Sequence, residues 1–212
     1  MQNKRRLFIV GAGDLGREME SWLDLIPEGQ RDWKLMGFLS DDEEVLKSFP
    51  TDLSILGKIE EYPLYKKDYV ILAIANVQSK KNVFKLLKDK VSFFTFVAPT
   101  AIIGKFSKIG QGSIIFPGAI ISNNVVLGDF VNIGCGTQIG HDSIIMGFSS
   151  LMANVDVGGT CVIGEGVFLG TNCTCLPRIK IESGSYIGSG AIVTRKITRS
   201  GTYFGNPAVK LE

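Results

Sequence analysis

From Ile103 onward an aliphatic residue returns every six positions: Ile103, Ile109, Ile115, Ile121, Leu127, Ile133, Ile139, Ile145, Leu151, Val157, Ile163, Leu169, then through Cys175 to Ile181, Ile187 and Val193. Sixteen hexads follow without an insertion, and fifteen carry Ile, Leu or Val at this first position. The fifth position is small or β-branched throughout, from Ser107, Ser113 and Ala119 to Ser185, Ala191 and Ile197. A period of six fits neither a helix at 3.6 residues per turn nor a strand alternating at two. It fits a triangular coil in which each hexad supplies one short strand and one corner. The aliphatic residue then fills the interior and the small residue fits beside it. Glycine follows the aliphatic in Gly104, Gly110, Gly128, Gly134, Gly140, Gly158, Gly164, Gly170 and Gly188, where it is expected to ease the backbone turn. Three hexads make one coil of 18 residues, so Ile103, Ile121, Ile139 and Val157 should stack in one column. About five coils result, roughly 25 Å of stack at ~4.8 Å per strand.

Residues 1–97 have no such period. Leu7–Val10 reads as an apolar strand that runs into Gly11-Ala12-Gly13-Asp14-Leu15-Gly16 and a helix from Arg17 to Leu25. Lys34–Leu39 reads as a second strand ending in Ser40-Asp41-Asp42. Asp68–Ala75 is a buried strand, Ser79–Lys88 a helix and Phe93–Val97 a last short strand. Strands alternating with helices imply a parallel sheet, an α/β Rossmann-like domain. GxGxxG between a strand and a helix presents helix-start N–H groups to a phosphate, and the glycines admit its close approach. Asp41 and Asp42 are candidates for ribose hydroxyls or a base. The segment is too short for a six-strand dinucleotide fold, so it points to a mononucleotide-type ligand.

With 23 basic and 21 acidic residues the net charge is +2, which gives no argument for nucleic acid or an anionic membrane as partner. The apolar run after the opening basic residues is too short for a secretion signal, and a cytoplasmic protein is expected. Cys135, Cys161, Cys173 and Cys175 lack zinc or disulfide spacing, and three of them fall at interior positions of the hexads.

His141 is the single histidine. It holds the third position of its hexad, outward or at the corner, which leaves the imidazole accessible, and Asp142 beside it is a candidate to raise its basicity or to orient it. One histidine also leaves no three-histidine metal site, and no metal is expected.

The order of GxGxxG and helix, strand ending in acids, hexad coil with His141-Asp142, and terminal Gly205-Asn206-Pro207-Ala208 resembles the NeuD/PglD-type sugar O- and N-acetyltransferases of bacterial surface-glycan pathways. The resemblance implies a left-handed parallel β-helix of hexapeptide repeats over 98–212, acetyl-coenzyme A as co-substrate, a nucleotide sugar on the first domain, and a homotrimer. It further implies His141 as general base with Asp142 behind it. Gly13, Asp14 and Leu15 would lie on the nucleotide sugar, with Asp41 and Asp42 at its nucleotide. The Gly159 N–H would face the thioester carbonyl, and Ser150, Thr171 and Ser189 would stand at coenzyme positions. Ser150 replaces a second histidine frequent in the family, and Gly134 replaces an asparagine near the acceptor. An ordinary imidazole, with a pKa near ~6.5, suits a base at neutral pH.

Overall fold

In a computed structural model, residues 4–211 are described, and they form two compact units that divide between Thr95 and Phe96. The first unit is a five-stranded, fully parallel sheet. Its strands are β1 (Arg5–Val10), β2 (Trp33–Leu39), β3 (Ile55–Gly57), β4 (Tyr69–Leu72) and β5 (Ser92–Phe93), in the order β3-β2-β1-β4-β5. Helix α1 (Asp14–Leu23) follows β1, and α2 (Val77–Leu87) follows β4. Leu7, Phe8, Ile9 and Val10 are buried, as are Val70, Ile71 and Leu72, which accounts for the unbroken apolar runs of strands covered on both faces. Val10 pairs with both Leu39 and Leu72, so the loops after β1, β2 and β4 emerge side by side. The order reverses at β1, the place where open parallel sheets gather ligands.

The edge strand β3 has no expectation in the sequence, since three residues carry no readable period. Helix α1 begins at Asp14, directly after Gly13, rather than at Arg17. The expected boundary at 97/98 is also displaced. Only Ser92–Phe93 closes the sheet, whereas Phe96–Val97 pairs with Ile114–Ile115 and so forms the first strand of the coil. A continuous aromatic stretch masks that break, because both sheets need apolar residues there.

The second unit is the three-faced coil that the hexads predict. Its first face stacks Ile102–Ile103, Ile120–Ile121, Gln138–Ile139, Asp156–Val157, Thr174–Cys175 and Ile192–Val193. The second stacks Lys108–Ile109 through Lys180–Ile181, to which Ile197 adds a bridge. The third runs from Phe96–Val97 through Asn132–Ile133, Ser150–Leu151 and Phe168–Leu169 to Thr202–Phe204, closed by an antiparallel strand, Val209–Lys210. Ile103, Ile121, Ile139 and Val157 are register partners, one above the next. The first-position residues from Ile115 to Val193 make one buried core with the fifth-position residues, Cys161, Cys173 and Cys175 among them. Each fully buried Val, Leu or Ile contributes roughly 1.5–3 kcal/mol.

Five fifth-position hydroxyls satisfy their polar groups by bridging two coils, whereas Ser185 Oγ donates to Glu182 O within its own coil. Ser143 Oγ donates to Gly158 O at 3.2 Å and accepts from Cys161 N at 3.0 Å. Ser107, Ser113, Thr137 and Ser149 repeat the pattern.

The second-position glycines do not make the turns. Their backbone is not left-handed; a Cβ there would strike the next coil, as at Gly140, where it would stand 2.5 Å from Gly159 N. The left-handed residue is the fourth. Nine non-glycine residues, including Asn124 (φ 59°) and Asp142 (φ 60°), and six glycines from Gly112 to Gly190 hold that position with φ between 55° and 73°. The glycine column therefore records close coil stacking, and the corner itself is made two residues later.

Candidate functional site

Within the coil, the corner between the first and second faces carries His141. Gly140 continues the strand Gln138–Ile139, Asp142 makes the left-handed turn, and Ser143 re-enters the core. The turn swings the Asp142 carboxylate back beside its neighbour, where Oδ2 lies 2.7 Å from His141 Nδ1. An ionised carboxylate only accepts, so Nδ1 carries the proton and Nε2 keeps its lone pair. Hydrogen bonds from His141 and then from Asn124 hold the Asp142 carboxyl below its ordinary range, so it remains the anion where imidazoles titrate. The His141 side chain is 65% exposed and reaches solvent.

One coil further on, Gly159 occupies the same corner position. A Cβ on Gly159 would stand 2.7 Å from His141 Nε2 and 2.9 Å from Cε1, so the imidazole lies over a residue that must lack a side chain. Gly159 O accepts from Arg178 N at 2.9 Å, while the Gly159 N–H has no acceptor among the described residues. A lone-pair nitrogen and an unpaired amide thus share one exposed corner, a hydrogen-bond acceptor beside a hydrogen-bond donor.

The remaining coil candidates are elsewhere. Thr171 and Ser189 stack one coil apart on the corner between the third and first faces, where Gly190 N donates to Thr171 O. Ser150 lies on the third face, opposite the His141 corner. It is 3% exposed, and its Oγ has no hydrogen-bond partner; the Oδ1 of its register partner Asn132, also buried, has none either. Within one chain the structure therefore brings His141, Asp142 and Gly159 together, and Thr171 with Ser189, but not these groups with each other or with Ser150.

In the first unit, Gly13 caps α1, and the N–H groups of Asp14, Leu15 and Gly16 have no acceptor among the described residues. Gly11 (φ 99°) turns the loop against Ala73, and Gly16 leaves room for the Gly11 carbonyl. A Cβ on Gly13 would meet nothing. Asp14 is turned to solvent and pairs with Arg17 at 2.6 Å. Asp41 and Asp42 follow β2 as expected, yet each already commits an oxygen to the loop: Asp41 Oδ1 accepts from Ile59 N at 3.1 Å and Asp42 Oδ1 from Glu44 N at 3.0 Å.

Two residues escaped the sequence reading. Asn76 caps α2 beside the glycine loop, accepting from Ser79 N at 2.9 Å; an asparagine just before a helix was the available signal. Asn124 donates to Asp142 Oδ1 at 3.0 Å, and a count of one coil back from Asp142 would have found it.

Comparison with known proteins agrees with this architecture. Residues 6–87 match the PglD N-terminal domain family. The GDP-perosamine N-acetyltransferase of Escherichia coli O157:H7 is 28% identical over 134 residues, covering 63% of this chain and 52% of that protein. The bifunctional protein GlmU of Marinobacter nauticus is 32% identical over 117 residues, 47% of this chain and 26% of that protein. The chain thus spans about a quarter to a half of the length of these curated relatives. Among solved structures, the acetyltransferase domain of PglB from Neisseria gonorrhoeae FA1090 superposes with a TM-score of 0.89 at 22% identity, over 98% of this chain and 100% of that one. A histidine variant of perosamine N-acetyltransferase from Caulobacter crescentus, in complex with CoA and GDP-perosamine, gives 0.85 at 19% identity, over 97% and 96%. These two are likenesses of fold. Along the sequence, a region that matches the PglD N-terminal domain family is thus followed by a parallel β-helix, the fold also seen in the PglB acetyltransferase domain.

Proposed function

We propose that the chain moves an acetyl group from acetyl-coenzyme A to the amine of a nucleotide-linked amino sugar, in the cytoplasm, for surface-glycan biosynthesis. The observation that carries this reading is the corner where His141 Nε2 lies over Gly159, with Asp142 on Nδ1 and an unpaired Gly159 N–H beside it. The names of the perosamine N-acetyltransferases among its relatives support an amine acceptor on a nucleotide sugar. The orphaned, buried Ser150 Oγ and the corner column of Thr171 and Ser189 fit a co-substrate with polar groups to satisfy. The thioester supplies an activated acetyl group. His141 Nε2 takes the amine proton as the C–N bond forms, and the Gly159 N–H donates to the carbonyl oxygen. The C–S bond breaks, and the imidazolium returns its proton to the departing thiolate. Asp142 holds the imidazole and balances its charge. The free amides of Asp14, Leu15 and Gly16 take the diphosphate of the acceptor, and Asp41 and Asp42 offer their remaining oxygens to its nucleoside.

His141→Ala is expected to lower kcat by roughly 10²- to 10⁴-fold with substrate affinities retained, the usual range for a general base. The wild-type rate should fall with pH through the imidazole range, because the neutral ring is the base and Asp142 stays ionised there. The variant should lack that limb. A screen of amino-sugar and hydroxyl acceptors, read as coenzyme A release, tests the acceptor class. Hydroxyl acceptors alone would make the chain an O-acetyltransferase, and no release with any acceptor would make it a nucleotide-sugar binder.

A further inference from the structure

We propose that Asn124 is a positioning residue for His141: its side-chain amide, reaching from the preceding coil, fixes the Asp142 carboxylate so that the imidazole keeps its lone pair on Nε2. This rests on the general-base reading and deepens it. Three consecutive coils supply one part each. Asn124 Nδ2 donates to Asp142 Oδ1 at 3.0 Å, Asp142 Oδ2 accepts from His141 Nδ1 at 2.7 Å, and Gly159, lacking a side chain, leaves room for the ring.

A lone carboxylate at half exposure would turn between water and the imidazole. With Oδ1 held from below, Oδ2 is aimed at Nδ1. Two features of the fold make this rigid. Asn124 and Asp142 share the left-handed fourth position, φ 59° and 60°, so their side chains leave the corner in parallel, one coil apart. Their backbones are pinned to the coil before, Asn124 N to Lys105 O at 3.1 Å and Asp142 N to Asn123 O at 3.0 Å.

A plainer role exists for an asparagine here, since Asn tolerates left-handed backbone better than most residues. Asn154 and Asn172 fill the same hexad position, but the residues one coil above them are Asn172 and Gly190, which offer no carboxylate. Asn124 alone of the three sits beneath an acid that touches a histidine. The other charges of this corner are few. Lys105 lies one coil below Asn124 and two below His141, and Arg178 lies two coils above Asp142. Both are about 10 Å along the stack from the His141–Asp142 pair, and Asp156 stands on the first face. The neighbours Asn123, Phe106, Gly159 and Thr160 are uncharged.

The single histidine makes the test direct, because every imidazole signal belongs to His141. In ¹⁵N-imidazole NMR of the full chain, the neutral ring should be mainly the Nδ1–H tautomer. Asn124→Gly removes the amide yet suits the backbone, since glycine serves at this position in six other corners. It should retain the wild-type melting temperature, shift the ring towards Nε2–H, and lower kcat roughly tenfold with little change in KM, the scale of a charge-assisted hydrogen bond discounted for exposure. Asn124→Asp replaces a donor with a second anion, which should move the midpoint of the acid limb of kcat to higher pH. Asn172→Gly should change none of these. If Asn124→Gly keeps tautomer, midpoint and kcat while His141→Ala is inactive, Asn124 only turns the chain and the proposal is overturned with the general base intact. If His141→Ala turns over normally, the general-base reading falls and takes this one with it.

Discussion

At Gly13 a side chain would meet nothing of the protein, whereas at Gly11 and Gly16 it would collide with backbone. The three glycines of GxGxxG therefore have different reasons, and only Gly13 leaves its space open. Its φ of −73° suits any residue. Gly13→Val should fold with an unchanged melting temperature and raise the acceptor KM roughly tenfold or more, the effect of losing about 1.4 kcal/mol of binding. The KM for acetyl-coenzyme A should stay put; steady-state kinetics with each substrate varied in turn measures both. Equal damage to the two, with a lowered melting point, would mean that Gly13 is structural. The motif was visible in the sequence, but not this division of labour, which depends on where Ala73 and the Gly11 carbonyl lie. Likewise His141 and Asp142 were legible as neighbours, while the Asn124 contact needed the left-handed turns that send both side chains out in parallel.

The hexad is the element of the coil, and each of its positions answers to one physical demand. The first position is legible in the sequence because apolar burial writes its own period. The second position, where the pattern predicts a turn, is a contact in the structure: Gly140 lacks a side chain so that Gly159 can approach. The fifth position is small or β-branched in the sequence, but where it carries a hydroxyl its role is also polar. Ser149 Oγ donates to Gly164 O at 2.8 Å and accepts from Val167 N at 3.2 Å, within the core. Ser149→Ala leaves a buried carbonyl and a buried amide short of a partner, which should cost roughly 1–3 kcal/mol. A urea-unfolding series compared with wild type checks this; a loss below about 0.5 kcal/mol, the scatter of neutral sites, would mean that the hydroxyl bridge contributes nothing. Residues 15 and 18 apart meet here because one coil takes 18 residues, a distance over which sequence patterns give no partner until the phase of the coil is known.

For the molecule as a whole, the decisive arrangement is that the His141 corner and Ser150 lie on opposite sides of one coil, with Thr171 and Ser189 on another corner. If all of them serve one reaction, two chains must build each site, and a three-faced prism closes naturally as a homotrimer. Light scattering should give three times the chain mass at micromolar concentration. A sharper check mixes inactive His141→Ala chains with inactive Thr171→Trp chains: co-refolded at equal amounts, random trimers should recover up to about a quarter of wild-type activity, since one site in four draws both intact residues from different chains. No recovery would place each site within a single chain. The sequence by itself determined the coil, its period and its interior columns, and the parallel α/β unit with its glycine loop, because these follow from local burial repeated along the chain. Only the tertiary structure decided where the coil begins, which corner each polar residue occupies, and which side chains meet. Phe96 joins the coil by pairing with Ile114, and Asn124 reaches Asp142 from one coil below. Contacts of that kind are set by strand register and by the sign of φ at the corners, neither of which any local pattern of apolar and polar residues encodes.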